Sequence, residues 1–206
     1  MTYQGLIKNL VREGYLKSTE VIEAFKKIDR AHFLPDKYKD RAGEDYPLPI
    51  GFGQTNSQPR TVAFMLELLD AKKGYKVLDI GSGSGWTSAL LSYIVGDRGQ
   101  VFGIEIIPEL KEFGEKNIEK LGIKNVLILQ KDGSKGLEKA PFDRILVSAA
   151  ARKAPKNLKK QLKIGGILVI PVGDFSQSIV KFKKISEDEF KEEVFPGFAF
   201  VPLVSK

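Results

Sequence analysis

The stretch VLDIGSGSGW, residues 77–86, constrains this chain more than any other. An aliphatic run ends in three glycines, Gly81, Gly83 and Gly85, and a second apolar segment begins at once. Glycine at alternate positions allows tight turning and lets a ligand approach bare backbone at a helix N-terminus. Strand, glycine loop and helix open a βαβ unit, and the chain repeats the theme. KVLDIG (76–81), QVFGIEI (100–106), NVLILQKD (125–132), FDRILVSAA (142–150) and GILVIPVG (166–173) are short runs rich in Val, Ile and Leu. Amphipathic helical segments separate the first three, which is the pattern of parallel strands buried on both faces. SIVKFKKI (178–185) and FAFVPLV (198–204) alternate more regularly and read as antiparallel edge strands.

Upstream of the loop the chain reads differently. The first forty residues read as helical, with Val21, Ile22, Phe25 and Ile28 on one face, Ser18 or Thr19 as N-cap, and an end at Pro35. Residues 36–58 read as a long loop with little regular structure, of a length that usually carries function. A helix follows from Pro59 to about Leu69, since proline suits the first turn and Val62, Met65, Leu66 and Leu69 form an apolar stripe. The division expected is an N-terminal helical and substrate-loop extension, 1–58, on a core of 59–206, together one structural unit.

Composition removes several kinds of chemistry. With no cysteine and a single histidine, His32, thiolate metal sites, cysteine nucleophiles and histidine-rich metal centres are excluded, and no metal is expected. His32 reads as a surface or packing residue. No apolar run reaches membrane-span length, and the N-terminus is too charged for a secretory signal, so a cytoplasmic protein is expected. The net charge of +7 permits an acidic partner. The lysines are dispersed, however, and the cluster Lys156, Lys159, Lys160 and Lys163 reads as a solvated helical face.

The loop also selects a ligand. A dinucleotide fingerprint requires G-x-G-x-x-G/A, but the last position falls on Trp86 counted from Gly81 and on Ser88 counted from Gly83. The spacing G-x-G-x-G, with Ser82 inside it and Asp79 two residues before, resembles S-adenosylmethionine-dependent methyltransferases. Glu105 ends the second strand, followed by Ile106, where a carboxylate can accept both ribose hydroxyls. Asp132 and Gly133 follow the third strand, where such an enzyme holds the adenine end. The alternative is that Glu105 and Asp132 cap turns and that Asp79 only orients the loop.

With the loop placed, PLPIGFGQTNSQP (47–59) becomes recognisable. Together with FDRILVSAAARKAPKNLKKQLKIGGILVIPVG (142–173) and FVPLV (200–204), it resembles protein-L-isoaspartate O-methyltransferases over about residues 20–204. The resemblance implies a Rossmann-like α/β methyltransferase fold: a mostly parallel central sheet with helices on both faces, an N-terminal helical extension and C-terminal antiparallel strands. It implies S-adenosylmethionine as cofactor and isoaspartyl-containing proteins and peptides as substrates; a monomer is expected, although the sequence does not give the oligomeric state. The implied reaction methylates the misplaced carboxylate, and the ester then closes to a succinimide. A carboxylate of pKa about 4 is already ionised at neutral pH, so no general base is required. Ser57 and Thr55 match the family's catalytic block, with Ser57 the candidate donor to the acceptor carboxylate or else the N-cap of the helix at Pro59. Asp45, Pro47 and Pro49 are candidates for shaping a lid. Asn56, Ala150, Val201 and Pro202 match the acceptor side. Two departures stand out: the family's usual Thr-Ile-Ser is Thr55-Asn56-Ser57 here, and its Ala-Ala-Ala-Pro ends in Arg152. They leave open a different peptide acceptor or a non-catalytic relative, while the net charge of +7 leaves open a nucleic-acid acceptor. Nucleic acid is the less expected partner, because the chain has neither an N/D-P-P-Y/F tetrapeptide nor a catalytic cysteine.

Overall fold

The computed structural model describes residues 1–205. Five of the apolar runs are neighbouring parallel strands: β3 (Lys76–Ile80), β4 (Gln100–Glu105), β5 (Val126–Gln130), β6 (Phe142–Val147) and β7 (Leu162–Gly173). With β8 (Gln177–Lys184) and β9 (Phe190–Phe198), which run antiparallel, they form one seven-stranded sheet in the order β5-β4-β3-β6-β7-β8-β9. The strand order reverses between β3 and β6, and open α/β sheets bind ligands beyond the carboxyl ends of the strands at such a point.

The helices cover the sheet as the apolar periodicity requires. They are α1 (Tyr3–Arg12), α2 (Thr19–Lys27), α3 (Pro59–Leu69), α4 (Trp86–Val95), α5 (Pro108–Lys120) and the short α6 (Lys156–Lys160). Val62, Met65, Leu66 and Leu69 of α3 are buried as expected, with Pro59 in the first turn. Val21 and Phe25 of α2 are buried, and Phe25 meets the indole of Trp86 edge-on at 5.6 Å between ring centroids. The extension thus packs directly on the helix that follows the glycine loop. Ser18 holds the N-cap position of α2, but its hydroxyl makes no cap; Glu67 Oε1 accepts the N–H groups of Lys17 and Ser18 instead.

Three expectations need correction. Residues 36–58 are not irregular throughout. After a 3-10 turn at Asp36–Arg41 they form a hairpin, β1 (Leu48–Gly51) with β2 (Gln54–Asn56), in which Pro49 faces Thr55. The strands are too short and too rich in Pro and Gly to show a clear period. The last sheet strand is β9, the charged segment FKEEVFPGF, and not FAFVPLV. Lys, Glu and Pro are what an exposed edge tolerates. The FVPLV segment instead crosses back to Ala150, which donates its N–H to Val201 O and accepts from Leu203 N at 2.8 and 2.7 Å. Finally, the lysine cluster is not one solvated helical face: Lys163 lies on β7, and Lys159 Nζ sits 4.9 and 5.0 Å from the ring centroids of Phe182 and Phe190.

Candidate active site

The cleft lies beyond the carboxyl ends of β3 and β6, where the strand order reverses. Its cavity of about 270 Å³ is lined by the ends of β3, β4 and β6, by the hairpin, and by the returning 201–204 segment. Of the residues singled out from sequence, Thr55, Ser57, Gly81, Gly83, Glu105, Ile106, Gly133, Val201 and Pro202 meet there. Ile50, Gln54, Ile107, Lys131, Ser148 and Ala149 also line it and were not anticipated. Their signal was position alone, at strand ends or in the hairpin.

The glycine loop is held from behind. Gly81, Gly83 and Gly85 have φ of 78°, 51° and 89°, the left-handed region where a side chain is strained. A Cβ on Gly85 would stand 3.2 Å from the carbonyl oxygen of Gly114, so α5 can approach only a bare loop. Asn117 Nδ2 donates to the carbonyl of Ser84 from the same helix.

Asp79 is fully buried beneath this loop and does not line the cleft. Its Oδ2 accepts the hydroxyls of Thr87 and Ser88 at 2.7 and 2.6 Å, fastening β3 to the first turn of α4. Burial pushes its carboxyl up from 3.8 to about 6; the Ser88 and Thr87 donors oppose this, and the nearby charge of Glu105 adds to it. The placement matches the alternative in which Asp79 orients the loop. The Ser82 hydroxyl is buried without a partner and packs toward Gly103.

Glu105 faces the cleft from the end of β4. Its Oε2 accepts the N–H of Gly83 at 2.9 Å, and its Oε1 accepts those of Ile106 and Ile107 at 2.8 and 3.0 Å. A carboxylate offers about four lone-pair directions, so one remains on Oε2. It can accept one ribose hydroxyl without losing a bond; accepting two releases the Gly83 N–H. Asp132 turns away, and its Oδ1 caps a 3-10 turn through the N–H and hydroxyl of Ser134, leaving Gly133 to face the cleft. The bare glycine backbone, the carboxylate at the end of β4 and the apolar walls fit an adenosyl ligand with a ribose diol.

The hairpin forms the opposite wall. Thr55 of β2 and Ser57 just beyond it line the cleft together with Gln54, whereas the Asn56 side chain is buried against Arg30 and Ser84. Ser57 is not the helix cap: the N-cap position of α3 is Gln58, whose own side chain makes no cap, and Asp45 Oδ1 accepts the first-turn N–H of Arg60 at 2.9 Å. Asn56 is buried, donates to Ser84 Oγ at 3.1 Å and accepts from Arg30 Nε at 2.8 Å. The structure thus places Asn56 in the scaffold, away from the acceptor side where its sequence position had put it. Ala150 and Arg152 line an outer groove of about 580 Å³ that adjoins the cleft at Pro202 and Leu203, and there Arg152 pairs with Asp174 at 3.1 Å and stays exposed. With both backbone groups of Ala150 engaged by the returning segment, little of it is left for a substrate. Asp45 anchors the loop base, accepting from the backbone N–H and Nε of Arg60. His32 is exposed, far from these contacts in role.

The comparisons with known proteins point one way. Residues 1–206 match the family described as Protein-L-isoaspartate(D-aspartate) O-methyltransferase (PCMT). A protein-L-isoaspartate O-methyltransferase of Pyrococcus abyssi is 48% identical over 207 residues, covering 99% of this chain and 95% of its own. One from Ignicoccus hospitalis is 46% identical over 204 residues, covering 98% of this chain and 96% of its own. Among solved structures, a chain from Plasmodium falciparum assigned as protein-L-isoaspartate O-methyltransferase, in complex with S-adenosyl-L-homocysteine, superimposes with a TM-score of 0.87 at 26% identity. It covers 99% of both chains.

Proposed function

The chain belongs to the protein-L-isoaspartate O-methyltransferase family, and from that premise we propose how its residues divide the work. The protein transfers a methyl group from S-adenosylmethionine to the carboxylate of L-isoaspartyl residues in damaged proteins. The ester so formed closes to a succinimide, which initiates repair. Bound S-adenosylmethionine supplies the electrophilic methyl of a sulfonium.

The protein's own share is binding and placement. Glu105 would accept from the ribose, the Gly81–Gly85 loop would give backbone access, and Gly133, after the Asp132 turn, would border the adenine. Ser57, with Thr55 beside it, donates to the acceptor carboxylate and aims it along the line of transfer. Val201 and Pro202 close the acceptor side. The nucleophile arrives ionised, so orientation and exclusion of water are what remain to be supplied. The observation that carries the reading is the shared cleft: the hydroxyl-bearing strand β2 faces Glu105 and Gly83, and no histidine lies among the lining residues. A monomeric working form and a cytoplasmic location belong to the same proposal. Residues 1–58 act as the acceptor-binding extension of the 59–206 core within one structural unit, supported by the packing of Phe25 on Trp86. No helix among the described residues is long and apolar enough to cross a membrane.

The test is labelled methyl transfer from S-adenosylmethionine to an isoaspartyl peptide, its aspartyl isomer and RNA. Incorporation into the isoaspartyl peptide alone is expected. Incorporation into RNA, or equal incorporation into both peptides, overturns the acceptor assignment.

A further inference from the structure

Arg30 is fully buried, although it is a lone cation at the start of a 3-10 turn that sequence gives no reason to single out. Its partners are amide oxygens. Nε donates to Asn56 Oδ1 at 2.8 Å and Nη1 to Glu44 O at 2.9 Å, while Nη2 is shared by Tyr46 O, Asn56 O and Ser57 O at 2.7, 3.1 and 3.0 Å. The guanidinium also lies over the Trp86 ring, 5.4 Å from its centroid, at the start of the helix that follows the glycine loop.

A buried charge without a carboxylate is costly to keep. Desolvation lowers the Arg30 pKa to about 10. What the cation provides in return is geometric. A planar fork of donors fixes several oxygens at once, which an ammonium or an apolar side chain cannot do. The oxygens it fixes lie on both sides of the hairpin: Glu44 and Tyr46 where the chain enters, Asn56 and Ser57 where it leaves. Through Asn56 Nδ2 the same node reaches Ser84 Oγ, between Gly83 and Gly85 of the cofactor loop. One continuous set of hydrogen bonds therefore joins the strand carrying Thr55 and Ser57 to the loop beside the cofactor cleft.

We propose that Arg30 is a positioning residue for methyl transfer, holding the acceptor-binding strand at a set distance from the cofactor loop through Asn56 and Ser84. This rests on the reading of Ser57 and Thr55 as acceptor-facing. In-line transfer is sensitive to that distance, since a displacement of about 1 Å can cost roughly 100-fold in rate. An aliphatic side chain at position 56 could not bridge Arg30 to Ser84.

The test uses Arg30→Lys, Ser84→Ala and the double variant. Three quantities are read: kcat and KM for isoaspartyl peptide, the Kd of S-adenosylhomocysteine, and hydrogen exchange with that ligand bound. The expected result for Arg30→Lys is a fall in kcat of about 10- to 100-fold, with the ligand Kd unchanged and faster exchange confined to amides 48–57. Ser84→Ala should lower kcat by less, and its effect should largely vanish in the Arg30→Lys background, because both cut one link. Unchanged kcat per folded molecule, or independent losses in the double variant, overturns the proposal. So does exchange that rises equally across the whole protein, as a purely structural arginine would give. Should Arg30→Lys not fold, Ser84→Ala alone decides: normal kcat with normal exchange at 48–57 overturns the link, and a fall in kcat with faster exchange there supports it. If the wild-type protein methylates no isoaspartyl peptide, the acceptor assignment fails by itself. The exchange pattern then still separates a local clamp, which supports the Arg30 link, from a general loss of stability, which overturns it.

Discussion

Replacing Ser57 with alanine separates two roles that a serine before a helix can play. A capping serine contributes about 0.5–2 kcal/mol of stability. Here the N-cap position belongs to Gln58, and the Ser57 side chain faces the cleft, half-buried. Its carbonyl, which Arg30 holds, survives the substitution. Ser57→Ala should therefore shift unfolding free energy by no more than about 0.5 kcal/mol, as for a side chain outside any cap or core. A hydrogen bond to a charged group is worth about 1.5–3 kcal/mol. At about 1.4 kcal/mol per factor of ten, kcat/KM for an isoaspartyl peptide should fall roughly 10- to 150-fold. Urea unfolding gives the first quantity, and label transfer from S-adenosylmethionine, per folded molecule, gives the second. Calorimetry with S-adenosylhomocysteine should show unchanged affinity. Normal turnover with reduced stability would refute the reasoning, making Ser57 a cap and moving the donor to Thr55 or the backbone.

Three further substitutions probe the cofactor side. Glu105→Ala should weaken S-adenosylmethionine and S-adenosylhomocysteine alike, by about 1.5–3 kcal/mol, because the ribose is common to both; calorimetry showing a loss for only one contradicts a ribose role. In Gly114→Ala the new Cβ would stand 2.8 Å from the carbonyl oxygen of Gly83 and 3.0 Å from Ile128 Cδ1. Neither the loop backbone nor α5 can yield freely, so overpacking should cost about 1–3 kcal/mol of stability and weaken S-adenosylhomocysteine; a urea midpoint and affinity both equal to wild type would place the loop elsewhere. Asp79 titrates at about 6 when folded, against an ordinary 3.8. Between those pH values the folded protein binds more protons than the unfolded chain, so this group's contribution to stability falls as pH rises through the window and is level above it. Asp79→Asn should lack that decline, and urea midpoints followed from pH 4 to 7 should show the difference between the two proteins narrowing or changing sign as pH rises; parallel curves contradict the burial argument.

The parallel sheet was legible because its strands are buried on both faces and read as unbroken aliphatic runs, each ending near the residue the structure assigns. The glycine loop, Glu105 and Gly133 were legible for a related reason: each sits at the carboxyl end of one of those strands. The hairpin was not. Its two strands span four and three residues and contain Pro49, which edge pairing tolerates but pattern reading penalises. The sign available was the Gly51-Phe52-Gly53 turn between short alternating segments. Without the hairpin the alternation along Thr55-Asn56-Ser57 could not be assigned, and Asn56 was grouped with its neighbours although its side chain points the other way. β9 was missed because its charges and Pro196 suit an edge better than a core. Arg30 was illegible because nothing local marks a buried arginine; its partners lie 14 to 27 residues away in the chain.

The central claim is that this cleft joins a methyl group to an isoaspartyl carboxylate as the first step of repair. Following the product tests it most directly. An isoaspartyl peptide is incubated with the protein and S-adenosylmethionine labelled in the methyl group, and the peptides are separated over successive turnovers. The account predicts that normal aspartyl peptide accumulates as the isoaspartyl form declines, and that the label leaves the peptide as volatile methanol under mild alkali, as a carboxyl ester requires. Label that resists alkali, or equal methylation of the aspartyl isomer, would contradict it.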